Sequence, residues 1–145
     1  MKIDNEINDL LLDLEKDLTK IMDNKGTKEI KKVYEEEVDY AYDEFQPISY
    51  QRRYKRGGFA DENNWETEVD LTKNGIEFTL TNEAKAVNSS LRLDKIIEEG
   101  VYYDWKGVNP SERPVYQRVQ ERIEDEQVVE NILESELRKL GYDFK

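Results

Sequence analysis

Apolar residues follow two different rhythms along this chain. Between Ile3 and Met22, the residues Ile7, Leu11, Leu14, Leu18 and Ile21 recur at alternating steps of four and three, the spacing of a helical stripe. Leu10 and Leu12 widen the stripe, and Asp and Lys fill the other face. Asn24-Lys25-Gly26 predicts the end of this helix, with Gly26 taking a left-handed cap. Two roles stand open for it: packing on the core of its own domain, or pairing with a neighbouring subunit. Thr27 predicts an N-cap for a second helix over 28–45. Ile30, Tyr34, Val38, Ala41 and Phe45 form its stripe, flanked by Tyr40 and Tyr42. Glu35-Glu36-Glu37 fits a solvated face, and Gln46-Pro47 predicts a stop, because a residue before proline avoids the helical region.

The rhythm changes to two at Trp65. Trp65, Thr67, Val69 and Leu71 alternate with Glu66, Glu68 and Asp70, and Ile76, Phe78 and Leu80 alternate with Glu77, Thr79 and Thr81. Asn74-Gly75 between the two runs is a strong hairpin signal. One face of this hairpin is apolar and the other polar, so helices are expected to cover one side of the sheet. The polar stretch 82–90 reads as a connection. Leu93 to Glu99 reads as a short helix closed by Gly100, Val101 to Trp105 as an extended piece, and Lys106 to Arg113 as a loop. Pro114 fits the first turn of a last helix. Val115, Val119 and Ile123 start its stripe, and Val129, Leu133, Leu137 and Leu140 continue it. The steps of four fail across Glu124-Asp125-Glu126-Gln127, which predicts a bend or interruption there. Gly141 fits a C-cap, with Arg138 and Lys139 at the negative end of the helix dipole. The fold class is therefore α+β: an antiparallel sheet with a β-hairpin, flanked by N-terminal helices and a long C-terminal helix. It forms one domain over 1–145, with 1–23 as a peripheral helix.

Composition narrows the chemistry. The chain of 145 residues is 39% charged and 37% hydrophobic, with nine tyrosines and two tryptophans to supply core area. It has no cysteine, which excludes disulfides, thiolate zinc sites and a cysteine nucleophile. It has no histidine, which removes the commonest general base and metal ligand. Glycine-rich phosphate loops and calcium-loop spacing are absent. Glu35 and Asp39, like Glu121 and Asp125, share a helix face at a spacing of four. Such pairs arise by chance among 34 acidic residues. The expectation is a protein that binds rather than an enzyme, with no cofactor or metal. A net charge of −12 opposes binding to phosphates and anionic lipid, so sequence-specific nucleic acid and membrane are not expected partners. No apolar run reaches membrane-span length, and Met1 to Asn8 has no apolar core, so no signal peptide is expected.

One stretch departs from the acidic background. Tyr50-Gln51-Arg52-Arg53-Tyr54-Lys55-Arg56-Gly57-Gly58-Phe59 carries four cations and three aromatics. Arginine and tyrosine dominate interface hot spots, so the stretch reads as an anchor for an acidic partner surface. Pairing with the domain's own carboxylates, or contact with nucleic acid, would use the same residue types. The candidate interface residues are Tyr50, Arg52, Arg53, Tyr54, Arg56, Phe59, Tyr103, Trp105 and Arg113.

The order of these features resembles the tail-component proteins of tailed bacteriophages, the group called neck, tail-completion or head–tail joining proteins. The residues that carry the resemblance are Pro47, Tyr50, Arg52, Arg53, Tyr54, Gly57, Gly58, Phe59, Ile97, Glu98, Gly100, Arg113 and Pro114, and it spans about residues 28–144. The resemblance implies a curved antiparallel sheet between N- and C-terminal helices. It also implies a virion structural protein without catalysis, forming a homo-oligomeric ring, commonly six-fold, that joins the tail tube to the neck or head connector. Its partners would be further copies of itself and other tail-tube, neck or connector proteins. It would be assembled in the bacterial host cytoplasm and reside in the tail or neck of the virion. The acidic charge would suit a lumen through which DNA slides. The competing reading is an acidic cytoplasmic regulatory protein that binds a basic protein target.

Overall fold

The structure, a computed structural model, describes residues 2–44 (side chains from Leu11 onward), 55–72, 75–86, 90–100 and 112–143. Five α-helices and one β-hairpin appear among them: α1 (Lys2–Ile21), α2 (Thr27–Glu44), β1 (Trp65–Thr72), β2 (Gly75–Asn82), α3 (Leu93–Glu99), α4 (Val115–Asp125) and α5 (Val128–Lys139). The order is α+β, as the two rhythms require. Phe45, Pro47 and the extended piece expected over 101–105 lie outside the described residues.

The break expected at Asn24-Lys25-Gly26 is not there. A π-helical turn, Met22–Gly26, joins α1 to α2, and Thr27 has helical φ and ψ of −57° and −46°. Two side chains take up backbone carbonyls where the register widens. Asn24 Nδ2 donates to the Lys20 carbonyl at 2.9 Å, and Thr27 Oγ1 to the Met22 carbonyl at 2.9 Å. Gly26 matters for closeness rather than for a left-handed bend. A Cβ there would sit 2.9 Å from both Sδ and Cε of Met22, itself 2% exposed. Thr27 thus bonds backward into the turn instead of capping a new helix.

The expected C-terminal helix is two helices. Gln127 adopts φ 51°, ψ 43° between them, a left-handed conformation uncommon outside glycine. This interruption resets the phase of α5. Ile132 and Leu137 are buried, whereas Leu140, expected in the stripe, is 57% exposed. Gly141 (φ 96°) ends α5. Its N–H donates to the Arg138 carbonyl at 3.0 Å, and the Tyr142 N–H to the Leu137 carbonyl at 3.0 Å, the paired bonds of a Schellman cap. Tyr142 thereby folds back onto Leu137 and donates its hydroxyl to Asp17 Oδ2 on α1 at 2.9 Å.

Two apolar clusters result. The smaller joins Ile21 of α1 to Ile132 and Leu137 of α5, with Leu14, Leu18, Val128, Leu133 and Tyr142 around them. The larger joins Val33, Tyr34, Val38 and Ala41 of α2 to Phe59, Trp65, Ile97 of α3, and Val115 and Val119 of α4. Tyr34 sits at its centre, edge-on to Trp65 (centroids 4.8 Å apart, 89°) and stacked with Tyr116 (6.0 Å, 16°). Such aromatic pairs are worth about 0.5–1.5 kcal/mol beyond their area.

The hairpin register pairs Trp65 with Asn82, Thr67 with Leu80, Val69 with Phe78 and Leu71 with Ile76, closing at Thr72 opposite Gly75. Its base is anchored in the larger cluster through Trp65 and Asn82. Its far half runs beside α1.

Candidate functional site

Within the described part of the basic-aromatic stretch, exposure gives way to burial between Arg56 and Phe59. Tyr50, Arg52, Arg53, Tyr54, Tyr103 and Trp105 lie outside the described residues. Lys55 is exposed, 3.6 Å from Glu35 of α2. Arg56 is also exposed. Directly after it the chain turns inward. Gly57, at φ 79°, donates its N–H to Asp61 Oδ2 at 2.8 Å, and Asp61 Oδ1 accepts from the Asn63 N–H at 3.0 Å. Asp61 thus caps the 3-10 turn Glu62–Asn64 and ties it to the glycine.

Phe59 is fully buried. Its ring fills the larger cluster, and its carbonyl accepts from Trp65 Nε1 at 3.0 Å and Asn82 Nδ2 at 2.7 Å. Arg113 also moves inward, at 6% exposure, where Nη1 donates to the Ala41 carbonyl at 2.9 Å. Ala41 lies in the last turn of α2, where carbonyls have no partner within the helix. A guanidinium there answers both the free carbonyl and the negative end of the helix dipole. Arg113-Pro114 is therefore a joint, its first residue closing α2 and its second preceding α4. Both residues read from the sequence as interface candidates, while partners of theirs, Ala41 for Arg113 and Asn82 for Phe59, lie 72 and 23 positions away along the chain.

A buried polar network runs behind this joint. Asn82, fully buried, donates Nδ2 to Tyr34 Oη at 3.0 Å and to the Phe59 carbonyl, and accepts from the Ala84 N–H at 3.1 Å. The Asn82 N–H donates to Tyr116 Oη at 2.9 Å, and that hydroxyl donates to Asp94 Oδ2 at 2.8 Å. Arg92 closes the chain by donating Nε to Asp94 Oδ1 at 3.2 Å and Nη2 to the Asn82 carbonyl at 3.1 Å. Burial pushes the Tyr34 and Tyr116 phenols far above the ordinary tyrosine range. Glu98 of α3 accepts from the Tyr116 N–H at 2.6 Å and so caps α4 from outside. Burial, aided by the Asp94 charge, raises its carboxyl above the usual range against the pull of that bond. These groups hold α2, α3, α4 and the hairpin base in register. Sequence parity pointed to Asn82, which lies in phase with Ile76, Phe78 and Leu80, although its type suggested a loop.

Across the opposite face, α2 and α4 are laced by ion pairs. Arg118 meets Glu44, and Arg122 meets Glu36 at 2.8 Å and Glu37 at 3.3 Å. The Arg118 guanidinium lies 5.2 Å from the centroid of the exposed Tyr40 ring. The Glu35–Glu37 run is thus partly spent on α4 rather than simply solvated. Among the described residues no three carboxylates gather closely enough to hold a metal ion. No helix among them is long and apolar enough to cross a membrane.

The hairpin's outer half offers the least satisfied surface. Trp65 is 5% exposed, Thr67 and Val69 are half-buried and Leu71 is 48% exposed, so cover fades toward the turn. Opposite them Leu80, Phe78 and Ile76 stay half-buried. The other face carries Glu66, Glu68, Asp70 and Glu77, all exposed, with Asp70 directly opposite Glu77. Like charges so placed destabilise the pairing. Among the described residues the sheet has only these two strands, and the outer edge of a strand is where another chain can pair.

No curated protein and no solved structure matches this chain. A family model, YomN, matches residues 6–139. The chain belongs to the YomN family, a phage-associated family.

Proposed function

We propose that this protein is a structural component of a phage tail or phage-derived particle, and that it acts by binding other chains without catalysing a reaction. In this reading it assembles as a homo-oligomeric ring that joins the tail tube to the neck or head connector. Copies of itself and neighbouring tail or neck proteins are its partners. The observation that carries the proposal is the hairpin: anchored firmly at its base, only two-stranded among the described residues, and progressively uncovered toward its turn. Isolated two-stranded hairpins are marginal in water. Strand addition or packing by a neighbour completes such an element. Membership of a phage-associated family supports the setting.

Deleting the gene from the phage tests the proposal. Electron microscopy of the lysate should then show heads and tails that fail to join, with infectivity restored by the gene in trans. Normal infectious particles in its absence would overturn the structural role, and tight one-to-one capture of a basic host protein would replace it with a regulatory one.

A further inference from the structure

Where α1 passes the hairpin, large apolar side chains from two elements reach solvent together. Leu71 of β1 is 48% exposed, and Leu12 of α1, 53% exposed, lines the same open groove. Leu11 beside it is 52% exposed. The helical row to which Leu11 belongs continues through Leu14, Leu18 and Ile21, and these three pack against α5. The row therefore runs from a covered seam into an uncovered one. Its alternating steps of four and three suit helix–helix contact along the whole length.

The charges around the groove say what fits there. Among the described residues its lining carries Glu15 and Asp23 against Lys16 and Lys20, two of each sign. All four are exposed, and none is engaged in an ion pair among the described residues. The whole chain carries −12, so two copies repel one another across most of their surfaces. A charge-balanced rim around an apolar centre is where a second, equally acidic copy meets the least local repulsion and where a lysine of one copy can face a carboxylate of the other. A basic partner would be better recognised by an acidic rim, which this groove lacks.

We infer that the groove between α1 and the hairpin, centred on Leu12 and Leu71, is the docking surface for a second copy of this chain. The inference rests on the self-assembly reading above and names the face through which that assembly proceeds. A patch of two leucines drives weak, concentration-dependent association, which strengthens when several copies close a ring.

The test uses the intact chain. Sedimentation equilibrium is run on the wild type, on Leu12→Glu and Leu71→Glu, and on Leu91→Glu, an exposed leucine outside the groove. Circular dichroism checks that each variant is folded. Because the chain has no cysteine, Thr19→Cys on the groove lining and Glu99→Cys on α3 provide single sites for a short bismaleimide cross-linker. The inference predicts that each groove variant weakens self-association by about tenfold or more, that Leu91→Glu does not, and that only Thr19→Cys yields covalent dimers. Wild-type association in both groove variants would overturn this face while leaving ring assembly standing. A wild type that stays monomeric and gives no Thr19→Cys dimer would overturn copy-to-copy docking here, as would a cross-link only to a different phage protein in infected cells. Ring assembly itself is judged separately, by the presence and copy number of the chain in particles.

Discussion

Replacing Asn82 by alanine should remove more stability than any exposed substitution, and the structure says how much. Three hydrogen bonds are lost: two donated by Nδ2, to Tyr34 Oη and the Phe59 carbonyl, and one accepted by Oδ1 from the Ala84 N–H. The Phe59 carbonyl keeps its bond from Trp65 Nε1 at 3.0 Å, so that loss is one net bond, about 1 kcal/mol. The Tyr34 hydroxyl and the Ala84 N–H are left in a site with no solvent exposure at Asn82, each costing about 1–2 kcal/mol. The total is roughly 3–5 kcal/mol, against about 5–15 kcal/mol for a whole domain. Urea unfolding followed by tryptophan fluorescence reads it directly. With a slope near 2 kcal/mol/M, the midpoint should fall by about 1.5–2.5 M at unchanged slope. Asn82→Asp sharpens the test. Its carboxylate can donate to neither acceptor at neutral pH, and its deficit should shrink in acid as a proton restores one donor. A midpoint shift below about 0.5 M for Asn82→Ala would refute the claim that this side chain holds the network together.

Other consequences follow from single groups. The Glu98 carboxyl is raised by burial, so the folded state holds its proton more tightly than the unfolded one, and stability falls as pH rises from the ordinary glutamate value, about 4.3, through the raised one. Glu98→Gln keeps an acceptor for Tyr116 N–H and should remove that component; the difference in unfolding free energy between the two proteins should therefore grow from acid to neutral pH, and a constant difference would contradict it. The Tyr34 and Tyr116 phenols stay protonated well above the usual range, so in an alkaline absorbance titration at least these two of the nine tyrosines should ionise only as the protein unfolds; smooth titration of all nine in the folded state would contradict the packing. Arg113→Ala should cost about 2–3 kcal/mol by uncapping α2, whereas Arg56→Glu should stay within about 0.5 kcal/mol, and equal melting temperatures for the two would refute their separate placement.

The parts of this fold that local chemistry dictates were legible in the sequence. Alternation on either side of Asn74-Gly75 located both strands, whereas the register, with Gly75 already paired to Thr72, is seen only in the structure. Gly100 and Gly141 marked helix ends, since each takes a positive φ. The failed spacing near Gln127 marked the break between α4 and α5. What escaped depended on distant contacts. Asn24-Lys25-Gly26 looks like a stop, yet burial of Met22 against Gly26 and two side-chain bonds carry the helix through it. Phe59 and Arg113 look like interface residues, yet the core and the end of α2 claim them. Tyr50, Arg52, Arg53, Tyr54 and Arg56 keep their assignment as a proposal, and Arg56, like Lys55 beside it, is exposed.

The central claim, that this chain is built into a phage particle in several copies, is tested most directly by quantitative mass spectrometry of purified particles. The account predicts that the chain is present at a fixed ratio to the tail-tube protein, at several copies per particle, a multiple of six for a six-fold ring. Its absence from particles that are otherwise complete would contradict the account.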